Sequence, residues 1–155
     1  MRPILLTGLV LLATAATPAA AAERDLWATV NVCDTAAHPD EIGVRASMPG
    51  PASATGLYVR FRVQYQDAAN GRWRHVSGAD SKWRRVGRGR GRPVESGWSF
   101  QLSGGKPQLV RGVARFQWRR GGHVVRRARR YTAAGHRSTR GADPPAFSAA
   151  TCRIV

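Results

Sequence analysis

The feature that most constrains the fold is an alternation of apolar and polar residues that recurs along the chain. It is clearest over residues 57–66, where every second residue is apolar. These apolar residues are Leu57, Val59, Phe61, Val63 and Tyr65. Because successive side chains of a β-strand point to opposite faces of the sheet, this segment is predicted to be an antiparallel strand with one buried face.

Similar alternation, interrupted by turn residues, predicts about nine short strands. They cover residues 26–33, 42–48, 57–66, 72–76, 82–86, 98–102, 109–118, 123–131 and 147–154. Asn70-Gly71 is a strong hairpin signal, and Ser77–Asp80 and Gly121-Gly122 are predicted to be further turns. No window beyond residue 22 has the 3.6-residue apolar period of a helix. The pattern predicts an all-β fold, an antiparallel two-sheet β-sandwich of about 7–9 strands.

The first 22 residues are predicted to be a secretory signal. Arg2 precedes an apolar run from Ile4 to Ala16, and the small residues Ala20 and Ala22 suit cleavage before Glu23. A transmembrane anchor is the alternative, but a membrane span needs ~20 apolar residues and this run has 13. We therefore expect an exported chain without a membrane span, in which residues 23–155 form a single domain.

Cys33 and Cys152 are the two cysteines of the chain. In an oxidising compartment an even number of cysteines favours a disulfide, and two cysteines allow one intramolecular pairing. No C-x-x-C motif is present, so a reactive thiol or a cysteine metal site is not indicated. We expect a Cys33–Cys152 disulfide that joins the two ends of the domain.

Residues 57–66 as one central strand, residues 111–118 as another, and Trp73 and Trp83 around a hairpin carry a family resemblance. Over about residues 25–155 the chain resembles immunoglobulin-like or fibronectin type III-like domains, and it is similar to small secreted proteins of high-GC actinobacteria. The cysteines lie in the first and last predicted strands, unlike the cysteine pair that faces across the core of antibody domains. The resemblance implies that the two central strands are neighbours.

The charge is strongly basic and unevenly distributed. The chain has 25 Lys and Arg against 9 Asp and Glu, a net charge of +16, and all but Lys82 and Lys106 of these basic residues are Arg. Residues 23–70 have a net charge of −2, whereas residues 71–155 have a net charge of +17. GC-rich codons alone produce Arg-rich chains, but they do not explain this asymmetry. A basic surface that meets an anionic partner would explain both the excess of arginine and its uneven distribution along the chain.

Four arginines are predicted to form that surface. Arg60 and Arg62 alternate with the buried Phe61 and Val63, so they should be exposed on the outward face of their strand. Arg111 and Arg115 should be exposed likewise, because the buried Phe116 and Trp118 lie on the other face of the same strand. With Tyr58 beside them, the candidate binding residues are Tyr58, Arg60, Arg62, Arg111 and Arg115.

Two further arginine groups are candidates. Arg127 and Arg129 extend the surface if strand 123–131 pairs alongside, with Arg126 and Arg130 on the opposite face. Arginine on both faces suggests that this strand lies at a sheet edge. The second group is interpreted either as a glycine-rich loop or as an anion site. It comprises Arg84, Arg85, Arg88, Arg90 and Arg92.

No motif indicates catalysis. The sequence has no G-x-S-x-G, no H-E-x-x-H and no phosphate-binding loop, and its four histidines are scattered. No cofactor and no metal site is predicted. We expect a non-enzymatic binding module for an anionic polymer or protein partner outside the cell, without specific nucleic-acid recognition. A cationic membrane-active effector and an enzyme of unrecognised type stay open as alternatives.

Overall fold

Nine β-strands form the framework of the computed structural model, which describes residues 24–102, 108–137 and 140–155. The predicted signal, residues 1–22, lies outside the described residues. Within them, no helix is long and apolar enough to cross a membrane. The strands are β1 (Trp27–Thr35), β2 (His38–Met48), β3 (Gly56–Gln66), β4 (Trp73–Asp80), β5 (Arg84–Arg88), β6 (Val94–Gln101), β7 (Gln108–Arg120), β8 (His123–Tyr131) and β9 (Cys152–Ile154).

The strands pair in two antiparallel sheets. The smaller sheet has the order β1-β2-β6, and the larger has the order β4-β3-β7-β8. In the larger sheet β4 and β5 pair with successive parts of β3, and β9 pairs with β7. The predicted two-sheet sandwich is therefore confirmed, and β8 lies at the edge of its sheet, as its arginine content indicated.

The core lies between the sheets and is built from the alternating apolar residues. Phe61 and Val63 of β3 and Phe116 and Trp118 of β7 are buried, as predicted. They pack against the inner residues of β1 and β2, such as Val30, Ile42 and Val44. Complete burial of one such side chain contributes roughly 1.5–3 kcal/mol. This burial fixes which face of β3 and β7 points to solvent.

A disulfide joins Cys33 of β1 to Cys152 of β9, with the two Cα atoms 5.4 Å apart. The two cysteines are 119 positions apart in sequence. Since β1 belongs to the smaller sheet and β9 to the larger, the bond links the two layers of the sandwich as well as the two ends of the described domain.

Several predicted boundaries are wrong. β2 begins at His38 and not at residue 42, and β6 begins at Val94 and not at residue 98. Ser77–Asp80 is part of β4 and not a separate turn, because the strand bulges between the pairs Gln64–His75 and Arg62–Asp80. Gly78 accommodates the bulge with a φ of 77°.

The last predicted strand, 147–154, is reduced to β9. Ahead of it Ala149 exchanges two backbone hydrogen bonds with Val30, of 2.9 and 3.0 Å, along the outer edge of β1. Ala149 thus pairs with the smaller sheet while β9 pairs with β7 of the larger sheet, so the segment crosses between the sheets and does not form one continuous strand.

Candidate functional site

The predicted basic residues lie on the solvent-facing side of the larger sheet, which we call the outer face. β3 and β7 are direct neighbours, as the resemblance implied, and Arg60 lies opposite Arg115 while Gln64 lies opposite Arg111. On the other side of β7, β8 places Arg129 opposite Arg115 and Arg127 opposite Gln117. The register therefore brings the predicted arginines and their predicted extension onto one surface.

Three arginines form a row across this face. Arg60, Arg115 and Arg129 occupy paired positions on β3, β7 and β8. Adjacent strands are ~4.8 Å apart, so the row carries about one side chain per 4.8 Å of its length. Like charges at directly opposed positions are destabilising, and an anion bridging them would relieve that repulsion. We call Arg60, Arg115 and Arg129 the arginine row.

A groove of about 470 Å³ runs along the arginine row. Four of its eight lining residues are arginines and none is acidic. Arg115, Arg127 and Arg129 are exposed, and within the described residues no carboxylate lies within ion-pair distance of them. The groove is lined by Arg60, Trp83, Arg115, Phe116, Gln117, Arg127, Ala128 and Arg129. The exposed guanidinium groups of Arg115, Arg127 and Arg129 favour an anionic ligand in this groove.

Arg60 and Arg62 converge on Asp80 at the end of β4. Arg60 donates from Nε to Oδ1 at 2.8 Å and from Nη2 to Oδ2, and Arg62 Nε lies 3.7 Å from Oδ2. The Asp80 side chain is 15% exposed, and its hydrogen bonds from Arg60 hold the pKa of its carboxyl well below the usual range. The expected exposure of Arg60 and Arg62 is wrong, because both are half-buried where Asp80 holds them against the sheet.

Arg111 has a structural environment that its position in the sequence does not show. Its guanidinium lies 4.2 Å from the ring centroid of Trp73 and 4.0 Å from that of Tyr131, and its Nε donates to Gln64 Oε1 at 3.0 Å. Burial lowers the pKa of Arg111. Its expected exposure is therefore also wrong, because two rings cover the faces of its guanidinium.

A second stack occupies the other end of the outer face. The guanidinium of Arg119 lies 4.2 Å from the ring of Tyr58 and 5.9 Å from that of Trp83. Arg119 also donates twice to Gln117 Oε1, at 2.9 and 2.6 Å. Tyr58, predicted as a binding residue, is thus a stacking partner of Arg119. The predicted strand ended at residue 118, so Arg119 was missed; the available signal was that Arg119 follows Arg115 by four residues, as Arg115 follows Arg111.

The outer face therefore has three zones along β7. Arg111 and Arg119 lie in aromatic stacks at the two ends, and Arg115 lies between them with the arginine row and Arg127. Each stacked arginine is about 13 Å from Arg115 along the strand, given a rise of ~3.3 Å per residue. The zone available to a ligand is the centre, not the full set of four arginines that the alternation predicted.

The second arginine group is divided by the fold. Arg84 stacks on Trp98 of the smaller sheet at 4.2 Å, and Arg92 lies in a different pocket from the rest. Arg85, Arg88 and Arg90 line an open groove. This group does not form a single site with the arginine row. Arg85, Arg88 and Arg90 therefore serve as a control set of exposed arginines.

Within the described residues, no three His, Cys, Asp or Glu side chains come together as a metal site requires. His136 stacks on Trp27 with a centroid separation of 4.3 Å, and burial lowers its pKa. No protein-family model, curated protein or solved structure matches the chain. The fold and the outer face define an antiparallel β-sandwich with an arginine-lined groove, and the functional argument depends on that groove.

Proposed function

We propose that the chain is a secreted, non-enzymatic, immunoglobulin-like binding module that holds an anionic polymer outside the cell. The observation that carries the proposal is the register of Arg60, Arg115 and Arg129 across three strands. Together with Arg127 they line a groove without a carboxylate. Guanidinium groups bind sulfate, phosphate and carboxylate oxygens with two parallel hydrogen bonds, which suits a ligand carrying such groups.

A polymer fits this arrangement better than a single small anion. Each exposed ion pair contributes roughly 0.2–1 kcal/mol, so one contact gives little affinity. A ligand with repeated charges engages several arginines at once, and the contributions add. Exposed charges are screened beyond ~8 Å at physiological ionic strength, so the binding is expected to fall steeply with salt.

Two features support an extracellular location. The pattern of residues 1–22 is that of a secretory signal. The disulfide between Cys33 and Cys152 suits an oxidising compartment, because cytosolic reductants keep most thiols reduced. The polymer is accordingly sought among acidic polysaccharides and other cell-surface polyanions.

The test compares two triple variants of the mature chain on immobilised heparin, used as a sulfated polysaccharide probe. Arg115, Arg127 and Arg129 are replaced by Gln in one variant, and Arg85, Arg88 and Arg90 in the control. Both lose three charges from exposed positions, so neither should unfold. At low salt the first variant should bind about 10- to 100-fold more weakly than wild type, and the control less than about 3-fold more weakly.

Three outcomes contradict the proposal. Equal losses in the two variants would show attraction to net charge without a site. A loss confined to the control would place the site at Arg85–Arg90. Absence of heparin binding by the wild type at low salt would leave codon bias as the explanation of the arginines.

A further inference from the structure

A second pocket, of about 440 Å³, lies at one end of the sandwich. It is bounded by the loop after β2 and by the β7–β8 hairpin. Its wall is mostly apolar, formed by Pro49, Pro51, Ala52, Trp118 and Val125. Its volume falls within the range of about 300–1,000 Å³ that is typical of small-molecule sites. We call it the end pocket.

The end pocket is held in shape by its own backbone. Gly50 N donates to Arg92 O at 3.1 Å, and Gly89 N donates to Thr55 O at 2.8 Å. A Cβ at Gly50 would lie 2.4 Å from Arg92 O, and one at Gly89 would lie 2.2 Å from Pro51 O. Only glycine permits this approach of the two loops. The Trp118 indole also donates to Pro49 O at 2.8 Å, which joins the loop to the core.

The charge around the end pocket is positive. Arg92, Arg120 and Arg126 line it and are exposed, and Asp25 is the acidic residue in its described lining. The Arg126 guanidinium lies 4.4 Å above the Trp118 ring, and Arg120 Nη2 donates to Ser53 Oγ at 3.1 Å. Beside them Val125 leaves 55% of its surface exposed. Apolar surface thus adjoins three guanidinium groups. Together with Asp25 they give the lining of the end pocket a net charge of +2.

We propose that the end pocket binds a small amphipathic anion: a flat apolar group bearing one carboxylate, sulfonate or phosphate. The apolar part would contact Pro51, Ala52 and Val125, next to the buried Trp118, and the acidic group would pair with Arg120 and Arg126. This combination of apolar contact and charge pairing excludes both a purely polar anion and a neutral hydrophobe as the preferred ligand.

The end pocket is separate from the arginine row. Arg126 and Arg127 are consecutive on β8, but Arg126 pairs with the position of Trp118 and Arg127 with that of Gln117. Their side chains therefore point to opposite faces of the sheet. The proposal stands independently of the polymer site, and separate variants of Arg126 and Arg127 distinguish the end pocket from the arginine row.

The probe is naphthalene-2-sulfonate, titrated into the mature protein and followed by the Trp118 indole N–H signal in NMR. Methanesulfonate tests the acidic group alone and 2-naphthylmethanol tests the apolar group alone. Naphthalene-2-sulfonate should bind saturably with a Kd of about 1 mM or lower. Each of the other two should bind at least about 5-fold more weakly.

Three variants locate the site. Arg126→Gln and Arg120→Gln should each weaken naphthalene-2-sulfonate binding by about 5- to 10-fold, and Val125→Glu should abolish it by placing a negative charge at an exposed position. Arg127→Gln should leave it unchanged while weakening heparin binding. Arg120 does not stack on Trp118, so its variant separates lost pairing from disturbed packing.

Several results would overturn the assignment. These are equal shifts with methanesulfonate, equal affinity for the neutral alcohol, or wild-type affinity in both Arg120→Gln and Val125→Glu. Absence of a Trp118 shift at about 10 mM probe would do the same, because that concentration should saturate a 1 mM site. Loss of naphthalene-2-sulfonate binding in Arg127→Gln would place the ligand on the outer face.

Discussion

Asp80 shows how one side chain decides the availability of two others. It accepts hydrogen bonds from Arg60 and lies 3.7 Å from Arg62 Nε, and Lys82 N donates to its Oδ1 at 2.9 Å. Without Asp80, the half-buried Arg60 would face Arg115 directly, with Arg62 diagonal to it. The carboxylate therefore both positions Arg60 in the arginine row and offsets part of the repulsion within it.

Replacing Asp80 by Asn should destabilise the protein by about 1–3 kcal/mol at pH 7. The folded-state pKa of Asp80 is lowered, so its contribution is fully present well above the unfolded value of about 3.9 and declines as pH falls from there through the lowered folded-state pKa. The gap between wild type and Asp80→Asn should therefore be constant above about pH 5 and narrow toward pH 3. Urea unfolding at several pH values measures it. A gap that stays constant down to pH 3 would mean that the carboxylate charge does not stabilise the fold.

At the scale of the element, β7 carries three outward arginines with different surroundings. Arg111 and Arg119 stack on aromatic rings from neighbouring segments, whereas Arg115 is exposed beside Arg60 and Arg129. The edge strand β8 adds arginines that also discourage pairing with another chain, because charged side chains protect exposed sheet edges. One strand thus combines residues that stabilise the sheet with residues available to a ligand.

Arg111→Ala should cost about 1–3 kcal/mol of stability, because it removes two cation–π contacts, a hydrogen bond to Gln64 and the packing of its aliphatic stem. Arg115→Ala is the matched control on the same strand face and should change stability by less than about 0.5 kcal/mol. Chemical denaturation of the two variants gives the comparison. If Arg115→Ala were the more destabilising, our assignment of structural and available arginines would be reversed.

At the scale of the whole molecule, long-range contacts hold the two layers together. Besides the shared core, the disulfide joins β1 to β9, and Ala149 pairs with Val30 at the edge of the smaller sheet. Arg130 Nε of β8 also donates to Leu26 O just before β1, at 3.1 Å. The first and last described segments therefore close the sandwich against each other.

Replacing both Cys33 and Cys152 by Ala should lower the free energy of unfolding by about 2–5 kcal/mol, because a loop this long is no longer restricted in the unfolded chain. The fold should persist, since the core residues are unchanged. Thermal unfolding with and without reductant measures the loss, and intact mass should show two fewer hydrogens in the unreduced wild type. Free thiols in the wild type purified without reductant, or equal stability of the double variant, would contradict the prediction.

Much of the fold could be read from local pattern. Strands β3 and β7 were placed to within about two residues, because alternation reports directly on which residues a sheet must bury. Exposure was less predictable: Arg60, Arg62 and Arg111 share the outward parity of Arg115 but are half-buried. The position of a residue in the two-residue alternation decides which face of the sheet its side chain points to, whereas the exposure of that side chain depends on neighbours contributed by other strands.

The sequence alone was enough for the all-β class, the two-sheet arrangement, the buried faces and the cysteine pairing, since each follows from local periodicity or from a count that allows one solution. Tertiary structure decided the site. The β3–β7–β8 register placed Arg129 beside Arg115, while Asp80, Trp73 and Tyr131 withdrew other arginines from solvent. These contacts join residues far apart in sequence, 38 positions for Trp73 and Arg111, and they arise only when hydrophobic burial fixes which strands lie side by side.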